Sequence, residues 1–151
     1  KSASRVWTDK AAAPIVDLLR SARSSDGPNL AKGVTDLQAL MADKVGPFRT
    51  EAGLQQALAE LQLMTDDLGT VPQSGRQGFD PVLLDWLDLR NMLLVAQSVA
   101  TPALARTESR GAHQREDHIG MVDAWTVNQV LKLEGDKLSL SRHAPISSKG
   151  P

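Results

Sequence analysis

Asp80-Pro81-Val82-Leu83-Leu84-Asp85-Trp86-Leu87-Asp88-Leu89-Arg90-Asn91-Met92-Leu93-Leu94-Val95-Ala96-Gln97-Ser98-Val99-Ala100 decides how this chain folds. It opens on an N-cap followed by proline at the first helical position, a strong helix start. From Val82 to about Ala100 it then runs apolar almost all round. A helix without a polar face must be covered on several sides. Asp85, Asp88 and Arg90 interrupt it, and it is too short to span a bilayer. It is therefore expected at the centre of a helical assembly, with Pro102 bending or ending it.

The segments upstream supply the cover. Leu30, Val34, Leu37, Leu40, Met41 and Val45 mark one face of an amphipathic helix opened by Pro28 or Asn29. Gly33 weakens that helix by about 1 kcal/mol of propensity, and Gly46-Pro47 stops it, with glycine as the left-handed cap. Thr50 caps the next helix, with Glu51 in its first turn. Its stripe is Leu54, Leu58, Leu61, Met64 and Leu68, and Gly69 ends it. Two amphipathic helices and one enveloped helix predict an antiparallel three-helix bundle over residues 29–105. A further helix from Thr8 to Arg23, capped by Thr8 or Asp9, carries the stripe Ile15, Val16, Leu18 and Leu19. It leads into the breakers Ser24-Ser25-Asp26-Gly27-Pro28, so residues 1–28 read as a linker helix from a preceding domain.

Downstream the period changes to two. Trp125, Val127, Gln129, Leu131 and Leu133 alternate with their neighbours, Gly135-Asp136 suits a type II′ turn, and Leu138 and Leu140 lie on the returning strand. Residues 106–151 thus form a polar loop and a small β-hairpin. The fold class is mainly α.

Composition narrows the chemistry. The chain has 151 residues and no Cys, which excludes disulfides, thiolate metal sites, iron–sulfur ligation and thiol nucleophiles. Lys+Arg is 17 against Asp+Glu 18, a net charge of -1, so no global field draws the chain to nucleic acid or anionic lipid. Leu, Val and Ala with few aromatics favour helix. The first residue is Lys1 and no signal-peptide pattern follows. The chain reads as the tail of something larger.

Charged residues concentrate in Arg106-Thr107-Glu108-Ser109-Arg110-Gly111-Ala112-His113-Gln114-Arg115-Glu116-Asp117-His118. A metal reading would use His113, Glu116, Asp117 and His118, but adjacent residues point apart. A Ser109–His113–Asp117 triad would need a helix that Gly111 interrupts. The simplest reading is a salt-bridged loop that fixes one element against another, through paired Arg and carboxylate groups. Arg49, after Gly46-Pro47-Phe48, either compensates the end of the preceding helix or serves an interface. Trp86 and Trp125 read as packing residues. Gly75-Arg76-Gln77-Gly78 has no strand before it to make a phosphate loop. No dinucleotide-binding, Walker or zinc-protease motif occurs.

Arg106 to Asp117 closely resembles the R-T-E-S-R-G-A-H-x-R-x-D segment of the succinate dehydrogenase/fumarate reductase flavoprotein subunits. Val45-Gly46-Pro47-Phe48-Arg49-Thr50-Glu51-Ala52-Gly53-Leu54, with Ala57 beyond, resembles that family's V-G-x-x-R-x-x-x-G-L turn. The resemblance spans roughly Asn29 to Ile146. It implies the C-terminal helical domain of such a flavoprotein, a three-helix bundle of the spectrin-repeat type. It also implies FAD in the full-length oxidoreductase, where hydride passes between succinate and flavin N5 in electron-transport and tricarboxylic-acid-cycle chemistry.

The family's FAD-binding, substrate-binding and proton-carrying residues lie upstream. No catalytic, cofactor-binding or metal residue is therefore expected in this chain, which should bind no FAD and turn over no substrate alone. The partners implied are the FAD-binding domain of the same polypeptide and, as a further option, an iron–sulfur subunit. Arg49, Arg106, Glu108, Arg110, His113, Arg115 and Asp117 are the interface candidates. The implied location is cytoplasmic, with partner subunits able to hold the assembly at the cytoplasmic face of the membrane.

The segment His118-Ile119-Gly120-Met121-Val122-Asp123-Ala124-Trp125 departs from the family, which often has Pro and Arg-Asp-Asp-x-x-Trp there; only an acidic residue and the Trp are kept. L-aspartate oxidase shares the architecture, but Ala112 and Arg115 favour the succinate/fumarate branch. A reading from a different class is a non-catalytic helical adaptor, binding through its third helix or the hairpin edge.

Overall fold

A computed structural model describes residues 9–23, 27–74, 78–135 and 137–146. Thr8, the centre of the breaker run at Ser24–Asp26, Gly75–Gln77 and the turn residue Asp136 lie outside them. Three helices form where capping and period require. Helix α2 (Leu30–Lys44) starts at Asn29, whose side chain accepts from Lys32 N at 3.0 Å. Helix α3 (Glu51–Leu68) starts at Thr50, which accepts from Gly53 N at 3.1 Å, and ends at Gly69 with φ +71°. Helix α4 (Pro81–Ala105) starts at Asp80, which accepts from Val82 N at 3.0 Å and Leu83 N at 3.2 Å. Each such cap contributes about 1 kcal/mol. Helix α1 (Asp9–Ser21) precedes them.

The bundle runs up, down, up. Trp86 Nε1, near the start of α4, donates to the Leu68 carbonyl at the end of α3 at 3.3 Å. That bond satisfies both the buried indole and an orphan helix-end carbonyl. Gly33 of α2 meets Leu89 of α4, where an added Cβ would lie 2.7 Å from Leu89 Cδ2. The glycine that weakens α2 as a helix is thus the point of close approach between α2 and α4.

The core side of α4 is Trp86, Leu89, Leu93, Ala96, Ala100 and Ala103. These recur at steps of three and four, a seam that two neighbouring helices can straddle. Leu30, Leu37, Leu40, Leu54, Ala57, Leu61 and Leu68 close on it. The expectation that α4 is covered on several sides is therefore corrected within the described residues. Leu84, Val95 and Val99 remain 46%, 61% and 42% exposed.

Three local expectations also change. Val45, with φ -118°, is the C-cap of α2, and Gly46 is not left-handed. Gly46 is needed for space instead, since a Cβ there would sit 2.9 Å from the Ala42 carbonyl oxygen. Pro102 does not end α4, which continues to Ala105. Trp125 is not in a strand; it closes a 3-10 turn, Asp123–Trp125.

Strand β3 (Asn128–Glu134) pairs antiparallel with β4 (Lys137–His143), with Glu134 opposite Lys137 across the two-residue turn. Gly135 there has φ +64°. The pairing the sequence did not announce is β1 (Phe48–Arg49) with β2 (Gln114–Arg115), two residues each and parallel. It stitches the α2–α3 turn to the loop after α4. No described helix is long and apolar enough to cross a membrane.

Candidate functional site

The polar segment after α4 folds back on itself through local bonds. Gly111, at φ +58°, supplies the left-handed residue of a tight turn. Across it Arg110 N donates to the His113 carbonyl at 2.8 Å, and His113 N donates to that of Arg110 at 3.0 Å. Ser109 Oγ accepts from Arg115 N at 2.8 Å and donates to the His118 carbonyl at 2.8 Å. The strand pairing then seats the loop, with Glu116 N donating to the Arg49 carbonyl at 2.9 Å.

Arg115 is the hub. It is 2% exposed, and its Nη1 donates to the Ala103, Leu104 and Arg106 carbonyls at 3.2, 3.1 and 3.1 Å. These are carbonyls of the α4 terminus, which a cation suits. The other edge of the guanidinium grips Asp117 in a bidentate pair. Asp117 Oδ2 in turn accepts from Glu51 N, at the start of α3, at 2.6 Å. One ion pair therefore ties the end of α4 to the beginning of α3. The bond from Arg115 chiefly holds the Asp117 carboxyl well below the usual carboxylate range.

Glu108 is the second hub, with no exposed surface. It accepts from Arg110 Nε at 2.8 Å, Arg110 Nη2 at 3.1 Å and Val122 N at 2.8 Å, and it pairs with Arg106. The Arg110 guanidinium is the main cause that lowers its carboxyl to about 2; the same bond raises the Arg110 pKa. Arg106 reaches on to the Trp125 and Val127 carbonyls, both at 3.0 Å, and to Gln129 Oε1 at 3.2 Å. Trp125 lies beneath two cations, Arg106 at 5.1 Å and Arg142 of β4 at 3.6 Å from the ring centre. The hairpin is thereby clipped to the bundle end.

Arg49 and His113 form the third contact. Arg49 Nη1 donates to His113 Nδ1 at 2.8 Å. Arginine offers only donors, so Nδ1 carries its lone pair, and Nε2–H faces the Arg106 carbonyl at 3.3 Å. His113 is neutral in this arrangement. Burial, with the charges of Arg49, Arg115 and Arg106, lowers its pKa. Arg49 Nε also donates to the Gly46 carbonyl at 2.7 Å, just past α2, and burial lowers the pKa of Arg49.

All seven residues singled out from the sequence meet at this end of the bundle. Ser109, His113 and Asp117 form no relay: both His113 nitrogens and the serine hydroxyl are engaged elsewhere. Among the described residues the group that could approach a cation is Glu51, Asp117 and His118, not the set built on His113. Asp117 there is already bonded to Arg115 and Glu51 N. Sequence reasoning weighed Ser109 only as a nucleophile, placed Gln129 only in the strand alternation, and missed Arg142. Gln129 and Arg142 are cross-strand partners, and a polar Gln129 on the hairpin's apolar alternation was the available signal.

Residues 34–145 match the family described as the fumarate reductase flavoprotein C-terminal region. The chain belongs to this family. It is 35% identical over 104 residues to an FAD-dependent oxidoreductase of Methanocaldococcus jannaschii, covering 69% of this chain and 19% of that protein. It is 30% identical over 125 residues to the succinate dehydrogenase flavoprotein subunit of Coxiella burnetii, covering 82% of this chain and 21% of that protein. The Mycobacterium smegmatis Sdh1 complex in its apo form superposes with a TM-score of 0.83 at 30% identity, over 99% of this chain and 26% of that one. The chain thus spans about a fifth of the length of the curated relatives it matches. In this C-terminal flavoprotein domain the Arg106–Asp117 loop is the frame that holds the helix ends together.

Proposed function

We propose that this domain is the C-terminal helical part of an FAD-dependent oxidoreductase that interconverts succinate and fumarate. Its task is to pack on the FAD-binding part of the same polypeptide and hold it in place. The observation that carries this reading is the family match together with a loop whose charged groups bond within the chain. Such a loop is a framework, not a reaction centre. In this reading chemistry and flavin belong to the remainder of the polypeptide, because the chain spans only about a fifth of the curated relatives' length.

Within the loop, Glu108 and Arg115 form the buried frame. Arg106 extends it toward the hairpin. Arg49, Arg110, His113 and Asp117 keep partly accessible edges and are the members that reach a neighbouring domain. An iron–sulfur subunit and a peripheral place at the cytoplasmic face of a membrane accompany this reading. The test is the full-length polypeptide: it should show flavin absorbance and succinate-dependent reduction of an electron acceptor, or fumarate reduction with a reduced dye. A full-length protein with neither activity, or one that oxidises L-aspartate instead, overturns the reading.

A further inference from the structure

Helix α1 is built unlike the rest of the molecule. It has 13 residues, none of them buried, and Pro14 lies inside it. A helix this short is marginal in water, and an interior proline removes one of its bonds. Leu18 alone of its large side chains rests against the core. Successive residues turn by about 100°, so Ile15, Val16 and Leu19 share a neighbouring face, and they are 58%, 38% and 42% exposed.

The helix is nevertheless held at its exit. Arg23 N donates to the Pro72 carbonyl at 3.0 Å, and Ser74 N donates to that of Arg23 at 2.8 Å. The Arg23 guanidinium bonds the Ser21 and Ala22 carbonyls at 2.6 and 3.1 Å. An anchored helix that turns its apolar stripe away from its own bundle leaves that stripe open to a second body.

We infer that the Ile15–Val16–Leu19 face of α1 is the apolar docking surface for the FAD-binding part of the same polypeptide. This rests on the function proposed above and names the contact surface that it requires. The match to the Mycobacterium smegmatis complex extends over 99% of this chain yet only 26% of that one. The helix beside the bundle is therefore common to a protein that has most of its length elsewhere. The family is a C-terminal region, so that extra length lies on the α1 side of the bundle. A body joined to the chain next to α1 meets this stripe at high effective concentration. The exposed α4 face, with Val95 and Val99, lies farther along the chain from that body.

Amide hydrogen exchange on the full-length polypeptide tests the assignment. Three proteins are compared: the wild type, Ile15→Asp/Leu19→Asp, and Val95→Asp/Val99→Asp. In the wild type the α1 amides should exchange slowly. The first variant should speed them roughly tenfold or more while α3 amides stay unchanged. The α4 variant should leave α1 exchange as it was. Fast α1 exchange in the wild type, α1 rates indifferent to the paired aspartates, or equal loss in the α4 variant overturns the docking surface. Flavin absorbance and turnover of the wild type are scored separately. A protein with slow α1 amides but no succinate or fumarate activity retires the activity and leaves the contact standing.

Discussion

Arg115 and Asp117 face each other in a bidentate pair, with Nε to Oδ1 at 2.7 Å and Nη2 to Oδ2 at 2.9 Å. The same guanidinium bonds three carbonyls at the end of α4, and the same carboxylate bonds the first amide of α3. Lysine cannot make both sets of contacts at once. Arg115→Lys should therefore cost about 1–3 kcal/mol, the loss expected when buried hydrogen-bonding groups at the α4 end are left without their partner. The urea midpoint of the chain would report it. A variant within about 0.5 kcal/mol of wild type would show that the fork carries no weight.

Acid should weaken the domain in two stages. His113 is neutral in the folded chain, with its pKa lowered from 6.5 mainly by burial. Below that value the unfolded chain takes up a proton that the folded one resists, so stability present above it is lost as pH falls. Glu108 is held down to about 2 from 4.5, chiefly by Arg110. Its contribution is therefore full above 4.5 and disappears as pH falls toward 2. A melting series over pH should show both limbs, with His113→Asn flattening only the upper one. An unchanged upper limb in that variant would assign it to another group.

Gly33→Ala sets two effects against each other. Alanine gains about 1 kcal/mol of helix propensity, while its Cβ would lie 2.7 Å from Leu89 Cδ2 in the core. Overpacking costs roughly 1–3 kcal/mol, so the single change should be neutral to destabilising. In the background of Leu89→Ala, where the obstruction is gone, the same change should stabilise. Additivity within about 0.3–0.5 kcal/mol in that double-mutant cycle would remove the proposed contact.

Arg142→Ala should release the hairpin, because the cation over Trp125 at 3.6 Å is lost. Contacts of this kind contribute about 0.5–2 kcal/mol. A lone two-stranded sheet is marginal without support. Amides of β3 and β4 should exchange faster while those of α3 do not. Equal acceleration in both regions would mean that the hairpin and bundle unfold as one unit.

The bundle was legible because its signals are local. Asn29, Thr50 and Asp80 each cap a helix whose apolar residues follow at helical spacing. What was not legible depends on partners far along the chain. The α4 helix passes Pro102 and ends where the Arg115 guanidinium donates to its last carbonyls. Trp125 leaves the alternating pattern because Arg106 and Arg142 flank its ring and Thr107 accepts its indole proton. The loop's residues could be named from sequence, but their division into buried frame and outer edge could not. Composition cannot distinguish an Arg paired inside the fold from one paired at its surface.

The two-residue parallel pairing of Phe48–Arg49 with Gln114–Arg115 has a consequence for the order of folding. It closes a long stretch of chain for very few bonds, so on its own it cannot repay the entropy of closure. Only when α3 and α4 already lie side by side are its two halves brought into register. The pairing should therefore form after the helices dock, and exchange of its amides should track the opening of the bundle.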